Sequence, residues 1–288
     1  MEVSGVWLPV VTPFSEGEVD FESYERLIHH YAKSDIKGIL PLGTTGEAPV
    51  VTPGEALAIL KKTVEIVNGR LPVFAGIGGN DTSLVISKVK EAERLGIDGI
   101  LSVCPYYSRP GQEGLYRHFQ AIAEATDLSV LMYNIPCRTG VNMENSTVLR
   151  LAEIPNIIGI KDSCGDIRQT LALLASKPEN FSVMTGEDHL FLTTLANGGS
   201  GGILASAHLE TKIFTGVFDR MMVNDLPGAR TLWRKVESMV SLLFEEANPG
   251  PVKYGLERTG LIRSREMRLP MTDISTVLKI KIDQALGG

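Results

Sequence analysis

Lys161 ends the apolar run Ile157-Ile158-Gly159-Ile160 and is followed by Asp162. Burial disfavours an ammonium relative to a neutral amine, and a neutral amine attacks carbonyl carbons. A lysine at a strand end also commonly snorkels to solvent, so its place in the fold must decide between the two. A second candidate is Gly43-Thr44-Thr45-Gly46-Glu47. Two glycines bracketing two hydroxyls let backbone N–H groups and side-chain donors converge on a small anion. Alone, the same string is as often a plain tight turn. Tyr133 closes the run Val130-Leu131-Met132, with Arg138 five residues on. A phenol at the end of a buried strand needs a hydrogen-bond partner and can shuttle protons. Tyr107, in Pro105-Tyr106-Tyr107, is paired with another aromatic at a loop, an arrangement that serves packing more often than catalysis.

Other chemistries have less to stand on. His29 and His30 are adjacent on a helix and face different ways, while His118, His189 and His208 are scattered. With no His-x-His or His-x-x-x-His pair, a metal-dependent aldol mechanism is disfavoured, and all five histidines are assigned to surface or packing. There is no Gly-x-Ser-x-Gly elbow for a serine hydrolase. Cys104, Cys137 and Cys164 have no metal-type spacing and are expected as reduced thiols. Cys137, beside Arg138, reads as a small apolar filler or as a thiol activated by a neighbouring cation.

Positioning these residues requires a regular scaffold. Near-continuous apolar runs predict eight strands: Val6–Val11, Gly38–Leu42, Val73–Gly76, Gly99–Val103, Ser129–Asn134, Ile157–Lys161, Ser182–Thr185 and Gly201–Ile203. Such runs fit parallel strands covered on both faces. Amphipathic windows between them predict helices at Asp20–Lys33, Ala56–Val67, Ser83–Leu95, Glu113–Ala125, Met143–Ala152, Ile167–Ser176, His189–Ala196 and Glu210–Val223. Asp20 is a candidate N-cap, and Thr52-Pro53-Gly54-Glu55 is a candidate capping box. Strand starts recur about every 28 residues, the period of a (β/α)8 TIM barrel, in which chemistry sits at the C-terminal ends of the strands. An open doubly wound sheet competes, but no Gly-x-Gly-x-x-Gly follows the first strand. The barrel is expected over residues 1–224. Residues 225–288 are expected as a helical extension, with helices at Leu226–Glu246, Val252–Thr259 and Ser275–Leu286 and a break at Asn248-Pro249-Gly250-Pro251.

The chain has 288 residues, with 28 Lys plus Arg against 34 Asp plus Glu, a net charge of −6. Without a basic stripe, nucleic acid is not an expected partner. The stretch from Leu190 to Ala207 carries four glycines and reads as strand and loop, so no membrane span is expected. No signal peptide is expected at the N-terminus, and a cytoplasmic location follows.

Taken in order, Gly43-Thr44-Thr45-Gly46-Glu47, Pro105-Tyr106-Tyr107 with Gln112-Glu113-Gly114-Leu115, Tyr133-Asn134-Ile135-Pro136-Cys137-Arg138-Thr139-Gly140 and Gly159-Ile160-Lys161 resemble the dihydrodipicolinate synthase / N-acetylneuraminate lyase family of class I aldolases. The resemblance runs from Gly5 to the C-terminal helices. It implies that Lys161 forms a Schiff base with pyruvate and that the Thr44/Thr45 turn holds the pyruvate carboxylate. It further implies that Tyr133 is the general acid/base, in a proton relay with Thr44 and with a Tyr107 supplied by a neighbouring subunit. Arg138 would bind the carboxylate of the second substrate, and Gly186 and Ile203 would line the pyruvate pocket. No metal or organic cofactor is implied, and a homotetramer built as a dimer of dimers is.

Within the family, the set Thr44, Thr45, Tyr107, Tyr133 and Arg138 resembles members that condense pyruvate with aspartate semialdehyde in lysine and diaminopimelate biosynthesis. Asp162-Ser163 stands where those members more often carry Glu-Ala, and Gly250 where they carry a bulkier apolar residue. Both changes also occur in relatives that cleave 2-keto-3-deoxy sugar acids or 4-hydroxy-2-oxo acids, which keeps a second aldolase reading open. A catalytically silent sensor barrel is a third reading, opposed by the intact Lys161 and Tyr133. Where lysine-inhibited members place Ser, two His and Glu, this chain has Ala48, Pro53, Ala56 and Leu84, keeping Asn80 and Tyr106. Insensitivity to free lysine is expected, because Leu84 removes the carboxylate that would pair with the inhibitor's ammonium.

Overall fold

The computed structural model describes residues 2–287. Its eight parallel strands are β1 (Gly5–Leu8), β2 (Gly38–Ile39), β3 (Phe74–Gly76), β4 (Gly99–Val103), β5 (Ser129–Asn134), β6 (Ile157–Asp162), β7 (Ser182–Thr185) and β8 (Gly201–Ile203). Each pairs with its neighbours in sequence, and β1 pairs with β8 from Gly5↔Gly201 to Trp7↔Ile203. A single parallel bridge, Ile39↔Val73, joins β2 to β3 and closes the ring into a TIM barrel.

Four strands match the expected bounds to the residue: β4, β5, β7 and β8. The first two are shorter than expected, each for the same reason. Pro9 follows β1 and Pro41 lies just past β2, and proline supplies no N–H for a ladder.

Around the strands lie α1 (Phe21–Tyr31), α2 (Pro53–Val67), α3 (Thr82–Glu93), α4 (Gln112–Glu124), α5 (Asn145–Leu151), α6 (Ile167–Ser176), α7 (Phe191–Ala196) and α8 (Ala207–Met222). Asp20 caps α1, accepting the Ser23 N–H at 3.1 Å. The capping box at α2 is complete, with Thr52 Oγ1 accepting from Glu55 N and Glu55 Oε2 accepting from Thr52 N. The seventh helix starts later than its expected His189, behind a 3₁₀ turn at Asp188–Leu190. The eighth starts earlier than expected, and Glu210 interrupts its helical dihedrals.

Two layers of core result. Trp7, Leu40, Phe74, Leu101, Leu131 and Met184 fill the barrel's interior, Trp7 meeting Phe74 edge to face at 4.9 Å. A larger cluster, including Leu8, Leu27, Ile100 and Phe119, fills the space between strands and helices.

The extension consists of α9 (Leu226–Leu243), α10 (Gly250–Arg258) and α11 (Thr276–Ala285). Val236, Val240, Val252 and Leu256 join the barrel's outer cluster, while Tyr254, Ile274, Leu278 and Ile282 form a cluster of their own. The expected break at Asn248–Pro251 is shorter than anticipated: α10 begins inside it, at Gly250. Pro251 then occupies the first turn, where a missing N–H costs nothing. The absence of a side chain at Gly250 also has a packing reason, since a Cβ there would sit 2.8 Å from Ile274 Cγ2.

Candidate active site

The residues singled out in the sequence gather at the C-terminal mouth of the barrel. Lys161 lies in β6 with 6% of its surface exposed, and Tyr133 lies in β5 with 5% exposed. The two strands change register between Val130 and Leu131. Val130 stands opposite Ile157, so without that slip Tyr133 would stand opposite Ile160; with it, Tyr133 stands opposite Lys161. Because alternate residues of a strand face opposite sides, one residue of slip decides whether these two functional groups share the barrel interior. They do, with Lys161 Nζ 4.3 Å from the centroid of the Tyr133 ring. Tyr133 Oη makes no hydrogen bond with any described residue, which leaves it open to a ligand.

Gly186 follows β7 and packs directly on the lysine. A Cβ there would sit 2.6 Å from Lys161 Cε and 2.2 Å from Ser163 Oγ, so only glycine leaves room for both. Ile203, 1% exposed, belongs to the same interior cluster as Tyr133 and Met184. Ser163 Oγ is buried without a hydrogen-bond partner among the described residues.

The Gly43–Glu47 segment forms a closed turn after β2. Gly46 N donates to Gly43 O and Glu47 N to Thr44 O, each at 3.1 Å. The N–H groups of Thr44 and Thr45 find no acceptor among the described residues, as an anion cradle requires. Gly46 is dictated by space, because a Cβ would meet Leu42 N at 2.9 Å and Val10 O at 3.0 Å. Thr12 Oγ1 donates to Gly46 O at 2.7 Å, and Asn248 Nδ2 donates to Thr45 Oγ1 at 2.9 Å. Glu47 takes a left-handed backbone (φ 54°) and turns its carboxylate inward to an ion pair with Lys253 of α10, both side chains being buried. Burial pushes the Glu47 carboxyl up and the Lys253 ammonium down, each drawn back by the other's charge.

Two expected participants stand apart from this cluster. Tyr107 is 90% exposed on a loop with φ 69°. Arg138 lies in the short helical turn Pro136–Thr139, its side chain exposed. Within one chain, neither reaches a hydrogen bond with Tyr133 or Thr44.

Three contributors were not singled out from the sequence. Asp188 is buried and accepts the Ser206 N–H at 2.7 Å; burial pushes its carboxyl up to about 6, against the pull of the Lys161 charge. The C-terminal-end rule could have found it, since it follows β7 by three residues. Asn248 and Lys253 are more than 200 positions from the turn they hold, and no local pattern announces that contact. The Asp162 departure is structural: its carboxylate accepts from Thr170 Oγ1 at 2.5 Å and Cys164 N at 3.1 Å, fastening the loop after β6 to α6. Cys137 is exposed.

His208 is buried, accepting the Val11 N–H at Nε2 and donating from Nδ1 to Ala205 O, and His118 is buried against Thr82. Both are packing residues. Among the described residues, no three His, Cys, Asp or Glu side chains gather as a metal ion would need. Among the described residues, no helix is long and apolar enough to cross a membrane.

The model of the dihydrodipicolinate synthetase family matches residues 2–287. The 4-hydroxy-tetrahydrodipicolinate synthase 2 of Clostridium acetobutylicum is 50% identical over 286 residues, 99% of this chain and 100% of that protein. The crystal structure of dihydrodipicolinate synthase from Thermotoga maritima superposes with a TM-score of 0.97 at 37% identity, covering 100% of this chain and 98% of that one. That of the chloride-inhibited dihydrodipicolinate synthase of Acinetobacter baumannii, complexed with pyruvate, gives 0.95 at 38% identity, covering 99% and 98%. On fold, site and full-length similarity together, this chain belongs to the dihydrodipicolinate synthetase family.

Proposed function

We propose that this chain condenses pyruvate with L-aspartate semialdehyde through a Schiff base on Lys161, the reaction of 4-hydroxy-tetrahydrodipicolinate synthases, within lysine and diaminopimelate biosynthesis. The observation that carries the reading is the buried Lys161–Tyr133 pair, 4.3 Å apart at the mouth of the barrel. The relatives' shared activity and the pyruvate complex of the Acinetobacter enzyme support it.

The chemistry follows from the groups present. Lys161 Nζ attacks the ketone carbon, the carbinolamine loses water, and the protonated imine makes the adjacent methyl group acidic. Tyr133 Oη takes and returns protons, first in forming the enamine and then at the aldehyde oxygen. The open N–H groups of Thr44 and Thr45, with the Thr45 hydroxyl, receive the pyruvate carboxylate, while Gly186 and Ile203 bound the pocket. Exposed at the mouth, Arg138 is available to the carboxylate of the second substrate. Tyr107, almost wholly exposed in one chain, completes the relay from a neighbouring copy in a homotetramer arranged as a dimer of dimers. The imine supplies the electron sink, so the mechanism uses no metal or organic cofactor, and the enzyme acts in the cytoplasm.

A second aldolase reading retains one observation in its favour: Ser163 sets a free, buried hydroxyl beside Lys161, where a hydroxylated sugar acid would find a partner. A reductase-coupled assay with pyruvate and aspartate semialdehyde separates the readings. Turnover abolished by Lys161→Ala supports the synthase. Borohydride trapping of pyruvate on Lys161 without turnover moves the substrate to a sugar acid. Absence of both favours a silent barrel.

A further inference from the structure

Asn248 lies just before α10, buried, and reaches across 203 positions of chain to Thr45. An amide nitrogen only donates, so Thr45 Oγ1 is the acceptor in this contact and its own proton must go elsewhere. No described residue takes that proton. Asn248 Oδ1 has no partner among the described residues, so the contact with Thr45 is the one hydrogen bond that the amide makes.

From this polarity we infer that Asn248 is a positioning residue for the keto-acid carboxylate, acting through Thr45. By donating to Thr45, it leaves the threonine hydroxyl able only to donate, which is the polarity an incoming carboxylate needs. The inference rests on the pyruvate reading above. It is strengthened by a second contact from the same part of the extension. Glu47 is a carboxylate inside the turn that receives the anion, and Lys253 pairs with it while also donating to Glu266 O at 2.7 Å. The extension thus sets the turn's hydrogen-bond polarity with one residue and its charge with another.

The test compares Asn248→Ala, Asn248→Asp, Thr45→Val and the double variant Thr45→Val/Asn248→Ala with the wild type. Pyruvate loading is followed by mass spectrometry of the borohydride-trapped adduct at increasing pyruvate. A hydrogen bond to a charged group supports a loss of roughly ten-fold or more, so Asn248→Ala should raise half-saturation by that factor. Asn248→Asp is nearly isosteric, but its carboxylate accepts the Thr45 proton and repels the anion, so its loss should exceed that of Asn248→Ala. In steady state, kcat/KM for pyruvate should fall in parallel, while kcat/KM for the aldehyde changes less than about three-fold. The double variant should load no worse than Thr45→Val alone, because the two residues act as one unit. Fully additive losses, or an aspartate variant that loads like wild type, would overturn the inference while leaving the pyruvate reading intact. A wild-type protein that traps no pyruvate would overturn both. Urea midpoints recorded on each variant separate loss of fold from loss of loading.

Discussion

Replacing Lys253 by Met tests whether the buried pair under the Gly43–Glu47 turn behaves as two charges in a dry site. In the native protein both side chains are essentially out of water, and Glu47 Oε2 has no hydrogen-bond partner among the described residues. Removing the ammonium leaves a carboxylate that cannot reach solvent. It can remain charged, at the cost of a broken buried pair, about 3–5 kcal/mol. Or it can take up a proton, which at pH 7 costs about 1.36 kcal/mol for each unit above its ordinary 4.5, roughly 3.4 kcal/mol. The cheaper route sets the ceiling, so Lys253→Met should lose about 3 kcal/mol at pH 7. A folded-state carboxyl pKa raised above its unfolded value favours folding at low pH and opposes it as pH rises. The loss relative to wild type should therefore shrink to about 1 kcal/mol at pH 5, where protonation is nearly free. Urea unfolding followed by circular dichroism at both pH values measures this. The double variant Glu47→Gln/Lys253→Met, with no charge left to bury, should lie within about 1.5 kcal/mol of wild type at either pH. A Lys253→Met loss below about 1 kcal/mol at pH 7, or one independent of pH, would refute the reasoning.

Other outcomes follow from the same geometry. Lys161→Ala should abolish both turnover and borohydride trapping, whereas Tyr133→Phe should still trap pyruvate and slow turnover by about 10²–10⁴-fold, a general acid/base contribution; a Tyr133→Phe enzyme at wild-type rate would remove the phenol from the mechanism. Free lysine should not inhibit: Leu84, four residues on from Asn80, offers exposed hydrocarbon and no carboxylate, and half-inhibition at submillimolar lysine in the coupled assay would contradict this. Acid should destabilise the fold between about pH 6.5 and 4, since burial holds His118 and His208 near 4 and both stay neutral until the chain unfolds and binds protons. Asp188, raised to about 6, and Glu47 and Glu210, raised by burial, work in the opposite direction, while Glu55, held at about 2 by its hydrogen bonds to Arg268, adds to the acid loss; a urea midpoint that stays flat or rises as pH falls across that range would disprove the dominance of the two histidines.

The sequence was most legible where chemistry and periodicity coincide. Lys161 and Tyr133 could be named because each closes an apolar run, and the barrel rule says that run ends face the site. Thr52 and Asp20 were readable as caps because capping is local, settled within three or four residues. What escaped notice depends on contacts that no window spans. The one-residue slip at Val130/Leu131 leaves no mark in composition, yet it brings the phenol beside the amine. Asp188 looks like any acidic residue after a strand until burial and Ser206 isolate it.

The extension is the clearest case of a contribution hidden from the sequence. Its helices could be drawn from periodicity, but periodicity gives a helix's apolar face and not the destination of its polar side chains. Lys253 on α10 is a case in point. A lysine on an otherwise apolar helix face reads as a solvated edge, and a Glu in a Gly-Thr-Thr-Gly-Glu turn reads as part of the loop. Only their meeting explains why a fully buried lysine is tolerated, since neither charge would be stable there without the other. Asn248 carries the argument one step further. Its donated hydrogen bond does little to hold the extension in place that Val252, Leu256 and their neighbours do not already do by burial. What it alone supplies is a direction for the Thr45 proton, and a direction matters only if something negative is to be received there.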